Sequence, residues 1–313
     1  MLGLSGGSPR AVSALRWGFL AALLTTGAVG LWEISTGSHL REFSDGAYAF
    51  SASSIASTFI NPNNYGAFLL GTLGPTLMII ARVRNLLPQL IVCFILAGSL
   101  LLAINTESRG AVFGIIIILA IASVALAAFN VGYFITATLV ASPIVIVGSL
   151  LFTTRIRLVI ENITSGADAS SDATRVLLGK QAITYLFESG GVGKGPGSFL
   201  ATLEMDSDWA SVITPAHNTF AQTGAEYGLP GLVALLVILG TSMATFLTPS
   251  QSGAQRLIQF EMVVCFSALC GAALIASSVL GDPSWWVLIG YLLCLTWQFR
   301  NISAIPTFKG PSA

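Results

Sequence analysis

The chain holds few residues able to do chemistry. Histidine occurs twice, at His39 and His217. His217 stands in Thr214-Pro-Ala-His-Asn-Thr-Phe-Ala-Gln-Thr-Gly-Ala-Glu-Tyr-Gly-Leu-Pro-Gly231, which reads as a short helix from near His217 to just before Gly228. An imidazole at a water-facing helix start titrates near neutrality and can move a proton. A capping or surface histidine is the other reading. Arg175 lies in Asp172–Ser189, where Val176, Leu177, Ile183, Leu186 and Phe187 form one apolar helical stripe. Ser171 or Asp172 caps that helix and Gly190 stops it. Arg175 then sits in the first turn, where a cation opposes the helix dipole unless an anion binds beside it. A surface pair with Asp168 or Asp172 is the alternative. Arg109 occupies Asn105-Thr-Glu-Ser-Arg-Gly110, a very short turn between two apolar blocks. An arginine at a membrane edge must snorkel or find a partner. Glu107 is one such partner, and a lipid phosphate at headgroup depth is another.

Three further motifs carry polar atoms. Gly191-Val-Gly-Lys-Gly-Pro-Gly-Ser198 sets Gly191, Gly193, Gly195 and Gly197 at alternate positions, which excludes a packed strand or helix. Such a run brings backbone amides close to a ligand, as an anion nest does, or makes a flexible turn. Its spacing fits neither a P-loop nor a dinucleotide fingerprint. Asn61-Pro-Asn-Asn-Tyr65 opens an apolar block. Asn caps helices and Pro favours their first turn, while the amides, Asn63 among them, are also able to hydrogen-bond sugar. Asp206-Ser-Asp208 has the Asp-x-Asp form that holds a divalent metal on sugar nucleotides. It falls on the wrong side of the membrane in the topology below, and no metal and no cofactor are expected.

The elements that position these residues are membrane spans. Of 313 residues, 54% are apolar and 9% charged, against about 25% charged in an ordinary soluble domain. Such a chain cannot cover a soluble surface with charge and is too apolar for disorder. Its 14 basic and 14 acidic residues balance, which argues against nucleic acid as a partner. The expected fold is an all-α polytopic membrane protein with about eight spans, near 14–34, 64–81, 88–105, 111–129, 131–152, 229–247, 260–280 and 285–300. Three parts follow: a bundle of about five spans over 1–152, a long external loop with short amphipathic helices over 153–228, and about three spans with a short cytoplasmic tail over 229–313. The first span is read as retained, because Trp32-Glu33 is no small-residue cleavage site.

Orientation comes from Lys and Arg in the short loops. With both termini cytoplasmic, seven basic residues (Arg10, Arg16, Arg82, Arg84, Arg256, Arg300 and Lys309) lie inside and only Arg41 and Arg109 lie in short outer loops. The 153–228 loop carries five basic and eight acidic residues. Span interiors are nearly bare of charge, with Glu261 at an inner edge. Cys93, Cys265, Cys270 and Cys294 fall within spans, without metal spacing, and read as small apolar packers.

In order and spacing these motifs resemble the O-antigen ligase and O-antigen polymerase superfamily of bacterial membrane glycosyltransferases. The matching pieces are Thr58-Phe-Ile-Asn-Pro-Asn63, Ser108-Arg-Gly110, Arg175, Gly191 to Phe199, and His217-Asn218 followed by Glu226-Tyr-Gly-Leu-Pro-Gly231. The resemblance covers about residues 55 to 300. It implies a GT-C-like, metal-independent enzyme of the bacterial inner membrane with its active site facing the periplasm. The donor would be an undecaprenyl-diphosphate-linked glycan and the acceptor a hydroxyl on a glycan or lipid. Membrane lipids and envelope polysaccharide assembly proteins would be further partners. Arg109 and Arg175 would hold the diphosphate, His217 would act as base, and Asn63, Gly193, Gly195, Gly197 and Asn218 would line the substrate. Members usually carry more spans than eight, the difference falling before Thr58. The glycine-rich segment is somewhat more like exopolysaccharide polymerases. A flippase of lipid-linked glycans and a non-catalytic assembly protein are the rival readings.

Overall fold

The computed structural model describes residues 7–40, 54–59, 61–82, 85–129, 169–205, 216–275 and 280–303. Its helices are α1 (Pro9–Thr36), α2 (Pro62–Arg82), α3 (Leu86–Asn105), α4 (Arg109–Phe129), α5 (Ala169–Glu188), α6 (Ser198–Met205), α7 (Thr219–Leu247), α8 (Gly253–Ile275) and α9 (Pro283–Ser303). The described residues are all-α, and the chain is a polytopic membrane protein. Four described helices, α1, α3, α7 and α8, are long and apolar enough to cross a bilayer. The second, fourth and eighth expected spans fall on α2, α4 and α9. A polar end, Gln298-Phe-Arg300, dilutes α9. The fifth expected span, 131–152, lies outside the described residues.

Helix ends follow local chemistry more closely than hydropathy. Ser8 caps α1 by accepting the Ala11 N–H at 3.2 Å, Pro9 takes its first turn, and Gly37 stops it in the left-handed region. The helix therefore outruns the apolar stretch 14–34. Helix α8 begins at Gly253, seven residues before the expected 260, because its first turns are polar and invisible to a hydropathy count. At α2, the Asn61 side chain accepts the Asn63 N–H at 2.7 Å, as the capping reading requires.

Helix α8 packs against α2, α4, α7 and α9. It comes so near α2 that a Cβ on Gly74 would lie 2.5 Å from Cys265 Sγ. Such small-residue contacts replace the hydrophobic effect, which cannot drive one helix onto another in lipid. Cys93 lies in α3, Cys265 and Cys270 in α8 and Cys294 in α9; Cys270 is half-buried and the other three are buried.

A buried charge cluster lies among these helices. Arg16 of α1 donates from Nε and Nη2 to the two carboxylate oxygens of Glu261 in α8, at 2.7 and 2.6 Å. The Tyr291 hydroxyl of α9 donates to the same carboxylate, and Arg82 of α2 lies 3.7 Å away. Arg16 and Glu261 are buried. Glu261 is thus the hub of a cluster tying four helices together. A charge in lipid needs a partner, and lone opposite charges at similar depth in two spans were the available signal.

Candidate active site

Helix α7 carries the histidine motif. Asn218 is its N-cap, accepting the N–H groups of Phe220 and Ala221 at 3.1 Å each. His217, just before it, has φ 49°, a region non-glycine residues seldom enter and often occupy at functional sites. Ser57 and Glu107 share this conformation. Ser57 is held by the buried Glu33 carboxylate, which accepts the Ala56 and Ser57 N–H groups at 3.0 and 2.7 Å. Glu107 lies in the three-residue turn between α3 and α4. The Ile55 N–H donates to the Asn105 carbonyl at 3.0 Å, joining those two segments.

The three singled-out residues come to this same end of the bundle. A His217 ring N–H donates to the backbone carbonyl of Ile275, the last residue of α8. The Thr219 hydroxyl donates to Ala273 at 3.0 Å. Gly110, beside Arg109, faces Ile275 so closely that a Cβ there would be 2.8 Å from its Cγ1. Arg109 is the first residue of α4, as the Ser108-Arg-Gly110 reading expects. Asn63, in the first turn of α2, is at this end too, since a Cβ on Gly66 would lie 2.6 Å from Ala111.

Arg175 arrives from α5. It lies on one stripe with Leu178, Ala182 and Tyr185, which pack with Phe199, Leu203, Ala216 and Ala225. That packing sets the Arg175 charge close enough to act on His217. Two expectations for α5 are corrected. The helix begins at Ala169, so Ser171 and Asp172 lie inside it and Arg175 is beyond the first turn. Serine and aspartate suit a first turn as well as a cap, and local sequence does not choose between them. Of the expected apolar stripe only Leu186 is buried; Val176, Leu177, Ile183 and Phe187 are exposed. Helix α5 has two apolar faces, and sequence periodicity picked the outer one.

His217 is also corrected. Burial first, and then the Arg175 guanidinium, push its pKa down to about 4 rather than near neutrality. The Ile275 hydrogen bond opposes this shift. His217 is a neutral imidazole at pH 7, and its buried Nδ1 has no hydrogen-bond partner among the described residues.

The glycine run approaches protein backbone. Gly193 meets α7 at its kink, where a Cβ would be 2.5 Å from the Gly228 nitrogen. Gly228 itself has φ 69° and ψ −165°, which breaks α7 where the short helix was expected to end. The run's amides are engaged: Gly193 N–H donates to Ser189 Oγ, Lys194 and Gly195 to the Ala225 and Glu226 carbonyls, and Gly197 to the Glu226 carboxylate. Gln222 holds the other Glu226 oxygen at 2.8 Å. Glu226 thus anchors the glycine run, a role that nothing in its local sequence marks. Lys194 pairs with Glu188 at 2.7 Å and lies over the Tyr185 ring. Asp206 and Asp208 lie outside the described residues.

The model of the family described as O-Antigen ligase matches residues 91–236, just under half of the chain. Arg109, Arg175, the glycine run, His217 and Asn218 all fall inside that stretch. No curated protein matches the chain.

Proposed function

We propose that the chain is a membrane glycosyltransferase of the O-antigen ligase and polymerase superfamily. It transfers glycan from an undecaprenyl-diphosphate carrier to an acceptor hydroxyl, on the periplasmic face of the bacterial inner membrane. One observation carries this reading: His217, Arg175 and the Arg109-Gly110 turn gather around the Ile275 end of α8, within the family-matched segment. Two helix N-termini, those of α4 and α7, add positive potential there. Site and charge suit an anion on a lipid better than a neutral ligand.

The acceptor oxygen attacks the anomeric carbon as the bond from that carbon to the diphosphate oxygen breaks. The bonding electron pair leaves with the diphosphate, where Arg109 and Arg175 stabilise the growing charge. His217 Nδ1 takes the hydroxyl proton. The bound diphosphate offsets the Arg175 charge and raises the His217 pKa, so donor binding arms the base. The displacement is single and inverting. Asn63 and Asn218 border the glycan, and the glycine run with Glu226 fixes the α5–α7 angle that delivers Arg175. The chain is then three parts: an N-terminal bundle, an external loop over 153–228 carrying catalytic groups, and a C-terminal bundle.

A flippase predicts charge along a route through the bilayer. The buried Arg16–Glu261 group instead closes on itself at one depth, which supports a one-sided site. The test is glycan length and linkage in cells carrying His217→Ala or Arg175→Ala at normal protein levels. Unchanged glycan in both sinks the assignment. Lost elongation marks a polymerase; full-length chains left unattached mark a ligase.

A further inference from the structure

Helix α5 has one apolar face more than its packing uses. The inner stripe of Leu178, Ala182 and Tyr185 is filled by α6 and α7. On the opposite side, Val176, Ile183 and Phe187 stand seven and four residues apart, which sets them on one line along the helix. They are 60%, 49% and 76% exposed. Lys180 lies on the same line and is also exposed. A long apolar stem ending in a cation, set in an apolar face, is the pattern of a helix lying at the headgroup boundary.

The surface around this face identifies its occupant. Phe187 ends the stripe, and Val192, 71% exposed, follows in the glycine run. The Gly191 carbonyl accepts the Leu229 N–H at 2.8 Å, placing the run directly on α7. From there Leu229, Val233, Leu236 and Val237 continue the exposed apolar surface down α7. Helix α7 is long and apolar enough to span, and only 22% of its apolar window is buried within the protein. Its outward side therefore faces lipid, and Phe187 and Val192 lead from α5 onto that side through the Gly191–Leu229 hydrogen bond.

We propose that α5 lies along the bilayer surface at the His217 end, with Val176, Ile183 and Phe187 turned into the lipid. Its opposite stripe then holds Arg175 at the depth of lipid headgroups. The proposal stands on exposure and continuity, and does not depend on the glycosyl-transfer reading.

The experiment uses the full chain reconstituted in phosphatidylcholine and phosphatidylglycerol vesicles. An environment-sensitive fluorophore is attached to Ile183→Cys and Phe187→Cys in turn. Glu204→Cys on α6 is the reference, and the wild-type chain corrects for the native cysteines. The expected result is blue-shifted emission at 183 and 187, lost on substituting chain-brominated lipid and protected from aqueous iodide. Iodide quenching at both positions equal to that at 204 would place α5 in water and overturn the proposal. Protection from both quenchers would overturn it as well, by showing a protein cover such as residues 130–168 or a second copy. Neither readout requires glycan transfer, so failure here leaves the proposed activity standing.

Discussion

Two arginine-bearing regions at opposite ends of α8 make an instructive pair. Glu261 and Ile275 are 14 residues apart on that helix, or about 21 Å. At the Arg16 end, a carboxylate meets the guanidinium with both oxygens, and Tyr291 adds a third bond. At the His217 end, the charge that His217 feels is positive, and it lowers the imidazole's proton affinity. Non-glycine residues in the left-handed region, Ser57, Glu107 and His217, gather at this second end. One end is a closed ion-pair cluster, and the other sets an imidazole in the field of a guanidinium. Charge inside a membrane protein is thus not functional by itself; at one end it joins helices, and at the other it acts on a histidine.

The comparison can be broken by mutation. Glu261→Ala removes the carboxylate and leaves Arg16 buried, so it should cost about 3–5 kcal/mol of stability. Thermal unfolding in detergent measures this, and glycan transfer below the lowered transition should stay near normal. A large loss of transfer by well-folded Glu261→Ala would make the inner cluster part of the function. Arg175→Ala should reverse the pattern, with transfer falling about 100- to 1,000-fold and the unfolding transition barely moved. Glycan formation in cells together with detergent melting separates the two outcomes.

Gly228→Ala tests the joint between α5 and α7. Its backbone is in a region nearly closed to other residues, and a Cβ would meet the Val192 carbonyl at 2.3 Å. The strain should cost about 1–3 kcal/mol, with transfer falling further than stability because Arg175 is displaced. Equal transfer at equal folded protein would detach the glycine run from the site.

The smallest effect is the titration of His217. Its folded pKa of about 4 lies below the ordinary 6.5. Between these values the unfolded chain binds a proton that the folded one does not. Stability is therefore full above pH 6.5 and declines as pH falls towards 4. His217→Asn should flatten that part of the melting-temperature profile. Adding inorganic pyrophosphate should raise the His217 pKa, read by NMR of labelled histidine; no movement would separate the site from diphosphate.

Much of the architecture was legible in the residues themselves. Apolar blocks placed α2, α3, α4 and α9 to within a few positions, because lipid leaves the backbone no partner but its own helix. Gly228 with Pro230 announced the break in α7, and Asn61 announced the start of α2, because both act through their own backbone neighbourhood. The sense of α5 was not legible. Both its stripes carry apolar residues, and the packing of α6 and α7 decides which is buried. The same holds for His217, whose ordinary pKa is a property of water; Ile275 and Arg175, 58 and 42 residues away in sequence, replace that water. Glu226 and Glu261 read as isolated acids until the chain brings Gly197 and Arg16 to them.

Sequence alone thus determined that this chain lives in a membrane, where its helices run and which few polar residues were available for chemistry. These follow from short-range physics, the cost of an unsatisfied backbone in lipid and the local rules of caps and kinks. Tertiary structure decided that Arg16 meets the Glu261 carboxylate, which face of α5 looks outward and which protonation state His217 keeps. Those depend on long-range contacts and on burial, and no residue carries them in its own identity.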